Sequence, residues 1–132
     1  MECFDPYDRE GQEYGASTRF APESCEDEVI ELLQQIRARI PLYDSDPEAP
    51  FNAEQNAMTA VDAERYYRAM MEGGPESWNI RDIHMSDTLE KLLDFYGPDA
   101  KIVVWEHNTH IGDARATDMQ SGGMVNVGQL VR

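Results

Sequence analysis

The chain has 132 residues, 26 of them acidic and 11 basic, for a net charge of −15 at neutral pH. So acidic a surface repels phosphate backbones and anionic headgroups, which counts against nucleic acid and membranes as partners. The length allows one domain at most, and 41% hydrophobic with 28% charged residues is a globular composition, not a disordered one.

Only Lys91 and Lys101 are lysines. Acidic excess with scarce lysine points to a protein made for high salt, where self-repulsion is screened; the alternative is an acidic cytosolic protein. No run reaches the roughly 18 apolar residues of a membrane span, and no basic-then-apolar leader opens the chain, so a cytoplasmic location is expected. Cys3 and Cys25 lack the C-x-x-C spacing, and no secretory context accompanies them, so no disulfide framework is expected.

Residues 1–21 form a loop-rich lead-in, with Pro6, Gly11 and Gly15 among scattered aromatics. Residues 22–97 read as helical. Ser24, with Asp27 three residues on, resembles an N-cap followed by an acidic first turn, and Val29, Leu33, Ile36 and Ile40 then recur at helical spacing until Pro41. Residues 44–50 form a connector with two prolines. Asn52 and Gln55 have capping-box spacing, predicting a long helix through Met58, Val61, Tyr66 and Met70 that stops at Gly73-Gly74-Pro75. A third helix begins near Ser77, with Met85, Leu89, Leu92 and Tyr96 on one stripe, and closes at Gly97-Pro98. Arg81, His84 and Thr88 lie in a row along its other side, which by pattern alone is a solvated face.

Residues 98–132 are read as a strand and a histidine loop. Ile102-Val103-Val104-Trp105 is an unbroken β-branched and aromatic run, predicting a strand buried on both faces. The segment 124–127 is either a second short strand or the lead into a helix starting near Asn126. The fold class predicted is therefore α/β and helix-rich, about three helices and one buried strand. A strand buried on both faces needs neighbours that this sequence does not offer, so a fragment of a larger α/β protein, or a chain that completes its sheet by self-association or with a partner, is expected.

In open α/β sheets ligands bind beyond the carboxyl ends of the strands, which places Glu106, His107, Asn108 and His110 where a site belongs; the alternative is a loop whose histidines satisfy backbone groups. No G-x-S-x-G elbow, phosphate loop or dinucleotide fingerprint is present, and no cofactor is expected. His107-x-x-His110, with Glu106, His84 or Asp113 nearby, is a weak zinc pattern. The metal-free alternative uses imidazole as base, proton carrier or oxyanion donor, with Asn108 orienting a ring and Arg81 stabilising negative charge.

The chain resembles the erythromycin esterase family. The resemblance rests on Trp105-Glu106-His107-Asn108-Thr109-His110-Ile111-Gly112-Asp113-Ala114-Arg115, on Ser77-Trp78-Asn79-Ile80-Arg81-Asp82 with His84-Met85, and on Ala63-Glu64-Arg65-Tyr66-Tyr67-Arg68. Glu54-Gln55-Asn56-Ala57, Val125-Asn126-Val127-Gly128-Gln129-Leu130 and Cys3-Phe4-Asp5-Pro6-Tyr7 extend it over nearly the whole chain. It implies a metal-independent hydrolase of ester bonds on an α/β scaffold, acting on a small-molecule ester, with macrolide lactones as the namesake substrate. Carried over, the catalytic positions are His107, His110 and Arg81, with Asn108, His84 and Glu106 as substrate contacts and no metal. The family's N-terminal Gly-Glu and histidine motif has no counterpart here, so the expectation is one partial domain over residues 1–132 that is inactive alone. Glu106 stands where the family usually has a small residue.

Overall fold

The structure, a computed structural model, describes residue 3 and residues 11–20, 24–39 and 46–132. Two compact units divide the chain, one of residues Met1–Glu72 and one of Gly73–Arg132. Among the described residues the regular elements are all helical: α1 Gly11–Thr18, α2 Glu26–Arg39, α3 Glu48–Glu72, α4 Glu76–Tyr96, α5 Asn108–Ile111 and α6 Val127–Leu130, with 3-10 turns at Ala114–Ala116 and Asp118–Gln120.

In the first unit, α1 and α2 both pack on α3. The Ser24 hydroxyl accepts a hydrogen bond from the Glu26 amide at 3.4 Å, and Val29 and Leu33 are buried as their spacing predicts. The expected stop at Pro41 lies outside the described residues. α3 begins at Glu48, four residues before the predicted Asn52 cap, where Asp46 Oδ1 accepts from the Glu48 amide at 2.9 Å. Pro50 is tolerated there because first-turn amides have no intrahelical acceptor. The buried positions of α3 are Ala57, Glu64 and Ala69, not the large apolar residues of the predicted stripe. Small residues let α1 and α2 approach closely, and the space is organised around a charge.

That charge is Glu64, whose carboxylate accepts from the Tyr14 hydroxyl at 2.8 Å. The same hydroxyl accepts from the Cys25 amide at 2.8 Å, which ties α1 to the start of α2. Arg68 Nε lies 2.8 Å from Glu64 Oε1, too far off the N–H direction to count as a hydrogen bond, and Arg68 Nη2 reaches Glu26 Oε1 on α2 at 3.0 Å. A buried carboxylate is tolerated only when it is paired this way. Burial and the neighbouring Cys3 thiol push the Cys25 thiol up to about 12, and burial likewise raises the Tyr14 phenol above its ordinary value. Both cysteines are free thiols.

In the second unit α4 runs as predicted from just before Ser77 to the Gly97 stop, where Gly97 takes φ 86° and its amide donates to the Leu93 carbonyl at 2.9 Å. Its buried residues are Asp82 and Ser86, one turn apart, rather than the Met85, Leu89, Leu92 and Tyr96 stripe, of which Tyr96 is exposed.

The predicted α/β fold with a buried strand is not found. Residues 102–105 carry no regular structure and make no backbone–backbone hydrogen bond with another described residue, and Val103 and Trp105 are 88% and 93% exposed. The second short strand is absent too: residues 124–126 are irregular and α6 follows. An apolar run becomes a buried strand only where a neighbour supplies the ladder and a layer covers each face, and the described residues supply neither. The composition of the run is that of a strand, but composition alone forms no sheet.

Candidate active site

Three residues of the first two turns of α4 hold the C-terminal part of the chain, and a fourth faces solvent. Trp78 Nε1 donates to the Val125 carbonyl at 2.6 Å. Asn79 Nδ2 donates to the Gly123 carbonyl at 3.0 Å, while its Oδ1 accepts from the Val125 amide at 2.9 Å. Asp82, with its side chain fully buried, accepts from the Val127 amide at 3.2 Å. Arg81, 41% exposed, is the one that turns outward.

The C-terminal segment folds back through a second hub. Asn126 caps α6: its Oδ1 accepts from the Gln129 amide at 2.9 Å and from the Ala114 amide at 3.3 Å, and its Nδ2 donates to the Thr109 carbonyl at 2.9 Å. Gly128 lies so close to the Ile111 and Gly112 carbonyls that any Cβ there would collide with them. These contacts seat α5 against α6, which brings His110 to α4.

His110 Nδ1 is 2.9 Å and 3.0 Å from the two oxygens of Asp82, and Arg81 Nη2 is 3.3 Å from His110 Nε2. The ring stacks on Trp78 with centroids 4.6 Å apart and planes 2° apart, and the Arg81 guanidinium carbon sits 4.7 Å from the Trp78 ring centroid. One aromatic surface therefore backs an imidazole and a cation side by side. Flat stacking and cation–π contact each restrict the rotamers of the polar groups they hold.

Of the residues singled out in the sequence, the structure brings His110 and Arg81 together. His107 is exposed and caps α5, with its Nδ1 engaged by the Thr109 amide and hydroxyl at 3.4 Å and 3.0 Å. Asn108 is exposed at the first position of α5. His84, half-buried on α4, accepts through its backbone carbonyl from the Thr88 hydroxyl at 2.8 Å, so the row Arg81, His84 and Thr88 is not uniformly a solvated face. Glu106 is half-buried, and its Oε2 is shielded from solvent without a hydrogen-bond partner among the described residues. The two residues not foreseen are Trp78 and Asp82. The signal was present in the pattern: an aspartate set among apolar neighbours of a helix, next to an arginine, is either exposed or paired.

Beyond the cluster, Asp113 caps the first 3-10 turn and binds Arg115 through two hydrogen bonds of 2.9 Å and 2.7 Å. The Arg115 guanidinium holds the Asp113 carboxyl down at about 2. No group of three or more His, Cys, Asp or Glu side chains suited to a metal ion occurs among the described residues. No helix among them is long and apolar enough to cross a membrane.

No solved structure matches the chain. A family model described as erythromycin esterase matches residues 1–132, the whole length that carries the Trp78, Arg81, Asp82 and His110 cluster. The chain belongs to the erythromycin esterase family.

Proposed function

We propose that the second unit carries the proton-transfer half of a metal-independent ester-hydrolysing site, in which His110 moves the proton and Arg81 stabilises negative charge developing on the ester oxygen. The observation that supports this reading most is the chain of contacts from buried Asp82 through the His110 ring to Arg81. An imidazole backed by a carboxylate is suited to accept and return a proton near neutral pH, and a guanidinium within reach of the same point is suited to an oxyanion. Both ring nitrogens of His110 are engaged by these partners, which favours this reading over the His-x-x-His zinc site.

Among the described residues the cluster holds no second carboxylate to position a water opposite His110, so the chain alone is proposed to bind an ester without turning it over. Addition of a macrolide lactone or an aryl ester to the purified chain is expected to shift the NMR signals of His110, the Arg81 side chain and Trp78 Nε1–H, with no hydrolysis above buffer. Absence of any shift at these groups overturns the site. Turnover that disappears in His110→Ala overturns the claim of inactivity.

A second reading, an acidic helical module that binds another chain, is favoured by the exposure of Val103 and Trp105 beside backbone groups with no ladder partner among the described residues. Light scattering separates the two, since a monomer at high micromolar concentration counts against self-association through this segment.

A further inference from the structure

The hydrogen-bond inventory of the cluster dictates more than its membership. A carboxylate is acceptor-only and a guanidinium is donor-only. Asp82 faces His110 Nδ1, so that nitrogen must carry the proton, and Arg81 faces Nε2, so that nitrogen must carry the lone pair. A second proton on Nε2 would point at a donor. The Arg81 contact therefore exists only for a neutral ring with its base side toward Arg81.

Asp82 is well placed to impose this. It is fully buried, is held from behind by the Val127 amide at 3.2 Å, and shares the Nδ1 proton between two oxygens at nearly equal distance. Its backbone belongs to α4, whose first turns are pinned by Trp78 and Asn79 to residues 123–125, and the stacked Trp78 ring prevents His110 from flipping its plane away.

We infer that Asp82 is the positioning residue of this site: it fixes the His110 tautomer so that Nε2 is the one basic nitrogen offered to a ligand, and a ligand reaches that nitrogen by drawing the Arg81 guanidinium onto its own oxygen. The inference rests on the reading of His110 as the proton-transfer group, but the tautomer is read by NMR without any turnover. A chain that binds no ester yet shows the stated tautomer refutes only that reading, and a chain that binds an ester with the opposite tautomer refutes only this one.

The test is imidazole 15N–1H correlation spectroscopy on the full 132-residue chain. In the wild type His110 is expected to show a protonated Nδ1 and an unprotonated Nε2 as its dominant form. Asp82→Asn places an amide donor or a weaker acceptor 3.0 Å from Nδ1, and loss of that dominance, with an Nε2–H signal appearing, is the expected result. A folded Asp82→Asn chain that keeps the wild-type pattern overturns the inference, because a merely structural role would lower stability and leave the tautomer alone. Should that variant not fold, Arg81→Gln decides: the Nδ1–H signal persists if Asp82 sets the tautomer and is lost if Arg81 does. A wild-type spectrum dominated by Nε2–H overturns the inference outright.

Discussion

Replacing Asn126 by alanine removes three hydrogen bonds at once and tests whether this buried amide assembles the site. Loss of the cap to the Gln129 amide costs about 0.5–2 kcal/mol. Loss of the donor to the Thr109 carbonyl costs about 0.5–1.5 kcal/mol. The Ala114 amide, on a residue with no exposed surface, loses its acceptor; at 3.3 Å that bond is long, so about 1 kcal/mol is the fair figure for it. The sum is about 2–4.5 kcal/mol, a large fraction of the roughly 5–15 kcal/mol that holds a domain together.

Asn126→Ser keeps the helix cap and loses the bridge to Thr109, so its cost should be about half as large. Urea unfolding followed by Trp78 fluorescence measures both, in a Trp105→Phe background made tolerable by the 93% exposure of Trp105. The reasoning fails if Asn126→Ala costs less than about 1 kcal/mol. Equal costs for serine and alanine would show that the cap contributes nothing and that the bridge carries the whole effect.

In the first unit, Tyr14→Phe deletes a hydrogen bond to a buried carboxylate and strips the Cys25 amide of its acceptor, for an expected loss of about 3–5 kcal/mol. Hydrogen exchange at the α2 amides reads this unit without relying on tryptophan, and unchanged protection there would refute it. Alkaline pH should weaken the same unit. The fold holds Cys25 and Tyr14 neutral above the values at which an unfolded chain loses those protons, about 8.5 and 10. The folded state then binds more protons than the unfolded one, so stability is full below about pH 8.5 and falls by up to about 1.4 kcal/mol per pH unit per group as pH rises. For Cys25 the decline ends near 12. Urea midpoints by circular dichroism at pH 8 and 10.5 should drop with pH, and drop less in Cys25→Ala; an equal drop in that variant would remove Cys25 from the account.

Two of the stretches that carry the family resemblance acquire a physical task in the fold. Trp78, Asn79 and Asp82 hold backbone groups of residues 123–127, and Asn126, Val127 and Gly128 seat the α5 turn. His107, which ranked beside His110 on spacing, is drawn into a local cap because its Nδ1 lies within reach of the Thr109 amide two residues on. Two histidines three residues apart are equivalent in a string of letters. They separate once a turn of helix places one against α4 and the other in solvent.

What the sequence by itself determined is local: the start of α2 near Ser24, the breaks at Gly73-Gly74-Pro75 and Gly97-Pro98, the burial of Val29 and Leu33, and the family. Capping, proline and glycine chemistry and helical spacing act over a few residues, so a linear reading reaches them. Tertiary structure alone decided that Ile102, Val103 and Trp105 stand exposed and not in a sheet, that Glu64 is buried within the first unit, and that Asp82 meets His110 across 28 positions of chain. Each of those outcomes depends on a partner far away in sequence, and neither a ladder neighbour nor a counter-charge can be read from the residue that needs it.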